Sequence, residues 1–490
     1  MNYKIIPAAK KDFLVSKYIH SVFFEYFGRV IYDGIWVGKD SSIPNIDGIR
    51  LDVIQGCREL NLGAMRWPGG CCADHYHWKD GIGPQRFDRI HPAADFAGIP
   101  LWRHDFGTDE FMKFCQLTGT EPVLTVNTAT GSPEEFLDWL EYVNGPATTK
   151  YGHLRAENGH LEPYNVKFWG IGNTDENVWH IDYNNPVAYG QTYLKYQTVA
   201  KTYRPHLYFI GLGLSMRHGL PGWTGKALDH ITHNQHSLSP NALSVHNYLG
   251  GAKQAGEKCG GAVDYTDEGW YALMALLERY QYDIDLHRIT IREHTRPEDH
   301  TKICFDEWGL WHPEASPENL TRQPQTLRDG LFAALTLPIF YRNSDIVEFA
   351  METQLSNLLQ SLFETDGEKF YKTPTFYIMK LFKEHANQYL IPLLPDDLDE
   401  HLDTVATLSA DGTKMTISII NFDLYQAKFI DLHLEEPWHV TAADIVTAED
   451  VRICNTYEEP EYICDRPFDI PESLSFTAPA HSVIRICLEK

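Results

Sequence analysis

Asp306 and Glu307 close a short apolar run, Ile303-Cys304-Phe305, and two tryptophans follow them, Trp308 and Trp311. A run that is apolar on both faces reads as a buried strand of a parallel sheet. Carboxylates at its C-terminal end, walled by flat aromatic rings, suit the cleavage of a sugar. The negative charge faces a developing oxocarbenium ion, and the rings pack against the sugar. The same residues also suit an acidic pair capping the next helix, with two tryptophans in ordinary core positions.

Other apolar runs share this plan. His20–Phe24 precedes Glu25, Leu62–Met65 precedes Arg66, and Pro122–Val126 precedes Asn127. Val166–Ile171 precedes Asn173, Leu207–Leu212 follows, and Ala242–Val245 precedes His246. Asp345–Met351, the last, runs toward Gln354. Helical patterns lie between them; the segment Pro133–Leu140 opens with a proline and two acids, as a first turn should. With the Ile303 run this makes eight βα units, which predict a (β/α)8 TIM barrel with its chemistry at the C-terminal ends of the strands. An open doubly wound sheet is the competitor, but no GxGxxG or phosphate-binding loop follows the first strand.

From about residue 388 the texture changes. Ala406–Ser409, Asp411-Gly412 and Lys414–Ile420 read as a hairpin with an Asp-Gly turn. Short alternating runs continue through Ser482–Cys487 without a helical period, which predicts an all-β, jelly-roll-like sandwich. The expected division is a catalytic barrel over 19–387, with 1–18 joining 388–490 in the sandwich. A chain of 490 residues is too long for one core, so two domains are the natural expectation.

A net charge of -25 argues against nucleic acid or an anionic membrane surface as partner. No apolar run approaches the length of a membrane span, and no cationic segment followed by an apolar one opens the chain. The nine cysteines form no CxxC pair and read as free thiols in a reducing compartment, so a cytoplasmic location is expected. No metal and no cofactor are expected: His75 and His77 are two apart on a loop, His104 is isolated, and none has the spacing of a zinc site.

Met65-Arg66-Trp67-Pro68-Gly69-Gly70-Cys71 pairs a fixed cation with two glycines that let a backbone approach a ligand closely. This segment, with Phe24–Arg29, Tyr76–Pro84, Phe106–Phe111, Asp306-Glu307-Trp308, and Gln354 with Asn357 ahead of Thr365–Lys369, resembles the family 51 glycoside hydrolases, chiefly α-L-arabinofuranosidases. The similarity runs in the family's order from about 20 to 385, and beyond it the sandwich matches in type. The resemblance implies a retaining double displacement at a terminal α-L-arabinofuranosyl group of an arabinose-containing oligosaccharide, as in the use of arabinan fragments. One carboxylate attacks the anomeric carbon; the other protonates the leaving oxygen and then activates water. Glu307 matches the nucleophile. Glu25, Cys71 (where many members have Asn), Asn173, Tyr248 and Gln354 fall where the family holds the arabinose hydroxyls, and Trp311 would line the subsite wall. Arg66 and His246 either organise the carboxylates or touch the substrate. The resemblance further implies a homo-oligomer, often a hexamer.

One position departs from the family. Where it reads Gly-Asn-Glu, with the glutamate as acid/base, this chain has Gly172-Asn173-Thr174-Asp175-Glu176-Asn177. A threonine hydroxyl cannot shuttle a proton as a carboxyl does. A two-residue insertion makes Glu176 the acid/base. An ungapped register leaves Asp175 or Glu176 to reach in from farther along the loop. Loss of the carboxyl leaves a related glycosidase of altered sugar specificity, or a catalytically weakened carbohydrate-binding protein. Glu176 is taken as the working acid/base.

Overall fold

Each apolar run becomes a strand because one set of its alternating side chains fills a shared interior while the other meets a layer of helices. The computed structural model describes residues 2–5, 13–91, 99–173, 185–203, 206–215, 222–233, 238–250, 258–395, 399–434 and 436–490. The barrel strands are β1 (Ser21–Phe23), β2 (Ala64–Trp67), β3 (Glu121–Val126), β4 (Phe168–Ile171), β5 (Tyr208–Leu212), β6 (Ala242–Leu249), β7 (Lys302–Leu310) and β8 (Val347–Thr353). They pair in parallel, in chain order, and β8 closes on β1. Phe23, Ala64, Val123, Phe168, Ile210, Ala242, Cys304, Phe349 and Met351 pack together as the interior. Tyr18 seals the N-terminal end of the barrel, stacked on Phe349 and edge-on to Phe168.

Several strand limits differ from the sequence expectation, and the shifts in β2 and β7 matter most for the site. β2 begins and ends two residues later than expected, which places Arg66 within the strand. β7 does not stop at Phe305 but runs on through Glu307 to Leu310. The expected helix forms as α1 (Pro133–Asn144), and the Ser132 side chain accepts from the Glu135 amide at 3.1 Å to cap it.

The remaining chain builds two antiparallel-rich sheets. One holds Tyr389–Ile391, Leu402–Leu408, Lys414–Asn421, Ser482–Glu489, His439–Val446 and Asp465–Pro467; the other holds Leu393–Pro395, Asn2–Ile5, Lys428–Leu434 and Ser475–Ala478. Leu402–Leu408 and Lys414–Asn421 are the two arms of the Asp-Gly hairpin, with Gly412 at φ +76°. Helix α2 (Leu327–Arg342) lies between barrel and sheets, touching β8 on one side and three strands of the six-stranded sheet on the other. In this seam His385 lies 2.8 Å from both the Thr407 and the Ser418 hydroxyls, and Tyr341 lies 2.7 Å from His20. Burial alone lowers His20 to about 3, and burial aided by neighbouring positive charge does the same for His385.

Candidate active site

The site grows from an irregularity in β7. Against β6 the register passes from Ser244–Cys304 to His246–Glu307, and against β8 from Phe305–Ala350 to Trp308–Glu352. In both cases β7 spends three residues where its neighbour spends two, so it carries a bulge. Regular alternation would send Asp306 and Glu307 to opposite faces of the sheet. The extra residue turns both toward the same cations, as bulges beside active sites do.

Arg66 is the first of those cations. From within β2 its Nη1 donates to Glu307 Oε1 at 2.9 Å, its Nε lies 3.3 Å from Asp306 Oδ2, and its Nη2 donates to Asn173 Oδ1 at 2.5 Å. Thr125 Oγ1 accepts a further bond from Nε at 3.1 Å. The guanidinium is 1% exposed and remains charged. His246 is the second cation. Its Nε2 lies 3.2 Å from Asp306 Oδ1 and its Nδ1 3.5 Å from Glu307 Oε2, so both ring nitrogens face carboxylates. Burial opposes its ionisation, but Glu307 and Asp306 outweigh it and hold the imidazole above its ordinary pKa. Asp306 is driven the other way: burial opposes its charge, while Arg66, His246 and the 2.6 Å bond from Ser244 Oγ keep its pKa below the usual value.

The second oxygen of Glu307 accepts from Tyr248 Oη at 2.8 Å, and the same hydroxyl lies 3.2 Å from Thr353 Oγ1 on β8. Glu307 therefore has an anchor on each oxygen. Trp311 stands edge-on to Tyr248, ring centroids 5.6 Å apart, and its indole N–H is spent on the Ala315 carbonyl at 3.0 Å. Glu25, just past β1, lies beside this group. Its Oε2 accepts from the Gly70 amide at 3.1 Å and the Cys72 amide at 3.4 Å, and its Oε1 accepts from Gln354 Nε2 at 3.0 Å. Burial and the Glu307 charge push Glu25 up to about 8, against the Cys72 amide, Arg66 and Gln354.

The two glycines after β2 do admit a close approach, and these two carboxyls fill it. A Cβ on Gly69 would fall 2.0 Å from Glu25 Cβ, and one on Gly70 would fall 2.4 Å from Glu307 Oε1 and 3.5 Å from Glu25 Oε2. The Glu25 and Glu307 oxygens thus lie no farther apart than those two distances end to end. Cys71 opens the short turn Cys71–His75 directly after this pair and is partly exposed.

Glu307, Asn173 and Tyr248 are thus joined through Arg66 in one hydrogen-bonded group; the bonded pair Glu25 and Gln354 lies against it, with Trp311 and Cys71 at the margin. Glu176, with Thr174 and Asp175, lies outside the described residues. Asn357 instead clamps Thr365 of the following hairpin at 2.7 and 2.8 Å. His77 lies 3.0 Å from Glu135 Oε1, and His104 2.9 Å from the Phe87 carbonyl. Asp306, Ser244, Thr125 and Thr353 are the members of the group that motif reading left without a role. Adjacency to Glu307 was the one available signal for Asp306.

Comparison with known proteins agrees along nearly the whole chain. A family model described as an α-L-arabinofuranosidase 1 domain matches residues 57–250, and one described as an α-L-arabinofuranosidase C-terminal domain matches residues 306–482. A Bacteroides ovatus protein named an intracellular exo-α-L-arabinofuranosidase is 30% identical over 97% of this chain and 93% of its own. A probable α-L-arabinofuranosidase C of Aspergillus niger is 29% identical over 98% of this chain and 95% of its own. The GH51 arabinofuranosidase structure from Xanthomonas axonopodis pv. citri matches with TM-score 0.88 at 27% identity, covering 100% of this chain and 99% of that one. The Thermotoga maritima α-L-arabinofuranosidase in complex with arabinose matches with TM-score 0.86 at 27% identity over 100% of both chains.

Proposed function

The chain belongs to the α-L-arabinofuranosidases of glycoside hydrolase family 51, and on that premise we propose that it releases terminal α-L-arabinofuranosyl groups from arabinose-containing oligosaccharides with retention of configuration. The observation that carries this reading is the state of Glu307. Its carboxylate is pinned on one oxygen by Arg66 and on the other by Tyr248, and His246 adds charge beside it. Such a carboxylate is held in one orientation, ready for attack on an anomeric carbon.

In this reading Glu307 displaces the aglycone and forms a glycosyl-enzyme. Glu176 protonates the departing oxygen and then takes a proton from the water that releases the sugar. Retention calls for those two carboxyls to stand about 5–5.5 Å apart. Glu25, Cys71, Asn173, Tyr248 and Gln354 hold the sugar hydroxyls, and Trp311 walls the subsite. The catalytic unit spans 19–387, and 1–18 with 388–490 form the accompanying sandwich. That the Bacteroides ovatus relative is named an intracellular enzyme supports a cytoplasmic site of action; none of the described helices is long and apolar enough to cross a membrane. A homo-oligomer, of hexameric order, completes the reading.

A mechanism-based arabinofuranoside with a good leaving group should label Glu307, located by peptide mapping. Glu307→Gln should lower turnover by on the order of 10⁴-fold or more. Glu176→Gln should cost about 10²–10⁴-fold on a natural oligosaccharide and far less on an activated aryl furanoside, whose leaving group needs little protonation. Equal activity of Glu176→Gln and wild type on both substrates would remove Glu176 from the mechanism. Labelling of the wild type without turnover would make the chain a binder.

A further inference from the structure

Among the described residues, the carboxyl groups of Asp306, Glu307 and Glu25 meet Arg66 and His246 at the mouth of the barrel, and the three carboxyls are not treated alike. Asp306 and Glu307 each touch both cations: Arg66 at 3.3 and 2.9 Å, His246 at 3.2 and 3.5 Å. Glu25 touches neither. Its partners are two backbone amides and the neutral amide of Gln354, and among the described residues no cation stands within ion-pair distance of it. The side chain is nonetheless 94% buried, beside a second carboxylate. Two charges of one sign, close together and screened from water, do not both persist.

We propose that Glu25 works as an un-ionised carboxylic acid and donates its proton in a hydrogen bond to the sugar that Glu307 attacks. This rests on the arabinofuranosidase reading above and deepens it. Oε2 is already held by two N–H donors, so the proton belongs on Oε1. There the partner is Gln354, whose own Oε1 is buried and without a donor. A half-turn of that amide lets the Gln354 carbonyl accept the Glu25 proton while no sugar is bound, and an entering hydroxyl then takes its place.

The groups around Glu25 are consistent with this assignment. β2 contributes Arg66, which is committed to Asp306, Glu307 and Asn173. The loop after β2 contributes Cys71 and Cys72; burial, with Glu25 next to it, pushes the Cys72 thiol well above its ordinary value, so that thiol is neutral. His91, 3.8 Å behind Cys72, is lowered by burial to about 4 and is neutral too. β6 contributes His246 and the un-ionised phenol of Tyr248, β7 contributes Asp306 and Glu307, and the residue after β8 is the neutral Gln354. Deprotonation of Glu25, centred at about 8, would remove a donor and set a second negative charge beside Glu307.

Binding of L-arabinose, measured by calorimetry from pH 6 to 10, tests the idea. Wild-type affinity should be flat below about pH 8 and fall about tenfold per unit above it, as loss of one required proton dictates. Glu25→Gln, which keeps the shape of the un-ionised acid, should bind within about tenfold of wild type at pH 6 and lose the alkaline fall. Flat wild-type binding to pH 10, or no binding by a folded Glu25→Gln at pH 6, overturns the proposal. An independent readout needs no sugar and leaves Glu25 itself unchanged. In a Glu352→Gln background, which removes a second carboxyl that burial holds well above its ordinary value, the infrared carbonyl stretch of an un-ionised carboxylic acid should be present at pH 7 and vanish by pH 10. Its absence at pH 7 overturns the proposal. A Glu352→Gln protein that shows this band but, like the wild type, binds no arabinose at any pH overturns the arabinofuranosidase reading instead.

Discussion

Two parts of this molecule bury histidine equally well and treat it in opposite ways. At the barrel mouth His246 sits between Asp306 and Glu307, and its affinity for a proton rises. In the seam between barrel and sandwich, His20 and His385 meet hydroxyl groups and no carboxylate, and both fall to about 3. Burial depth does not distinguish them; the charge of the nearest partners does. Glu352 completes the contrast. It lies on β8 between Met351, an interior residue, and Thr353, which bonds Tyr248, so it points outward into the helix layer. Neither of its oxygens has a partner, and burial alone holds it well above the ordinary carboxylate value. The mouth concentrates charge and pairs it, whereas the seam keeps its buried histidines among hydroxyl groups.

The largest break in that balance should come from Arg66→Met. Removal of one partner from a buried ionic cluster costs about 3–5 kcal/mol, because Asp306 and Glu307 are left uncompensated. Urea unfolding at pH 7 should show that loss, and turnover should fall with it. Unchanged stability would mean that Arg66 does not balance the mouth.

Acid should separate the two histidine environments next. His20 and His385 have folded pKa values below the unfolded one. Their contribution is complete above pH 6.5 and is lost as pH falls from 6.5 toward 3, at up to about 1.4 kcal/mol per pH unit for each. His246 has the opposite sign: its contribution is complete below pH 6.5 and is lost as pH rises through its elevated value. Unfolding free energies of wild type and His385→Gln, taken between pH 7 and 4, should show a shallower slope in the variant. Parallel slopes would place the acid sensitivity elsewhere.

A smaller effect is expected at the unpartnered acid. Glu352→Met removes two unsatisfied buried oxygens and should stabilise the fold by about 1–3 kcal/mol. Because the folded pKa is raised, wild-type stability is complete below about pH 4.5 and declines as pH rises. The gain from Glu352→Met should therefore be greater at pH 8 than at pH 4 in the same unfolding experiment. The smallest change belongs to Thr353→Val. It takes one hydrogen bond from Tyr248 and leaves the bond to Glu307, so kcat/KM for an aryl arabinofuranoside should drop by about 2–10-fold, the worth of a single neutral bond. A drop of a hundredfold would make Thr353 part of the catalytic machinery.

Much of the architecture was legible from the chain alone. Short runs such as Pro122–Val126 and Ala242–Val245 are apolar on both faces, as strands covered on both sides must be, and their regular alternation with helical patterns leaves few topologies besides a closed barrel. Glu307 was legible as a carboxylate at the end of such a run. Glu25 and Gln354 stand hundreds of residues apart and were placed together by the resemblance of their segments, not by any local pattern. The β7 bulge was invisible, because a one-residue excess exists only relative to the neighbouring strands. Asp306 and Thr353 went unassigned for the same reason: their partners are His246, Arg66 and Tyr248, reached through the barrel's cross-strand register.

The sequence determined which elements form, their order around the barrel, and which ionisable side chains arrive near its mouth, since apolar periodicity and chemical identity are local properties. The tertiary structure decided the charge that each of those groups carries. Arg66 and Glu307 lie 241 residues apart in the chain and 2.9 Å apart in space. A proton's affinity for a site is governed by burial and by separations of a few ångströms, and those separations exist only once the barrel has closed.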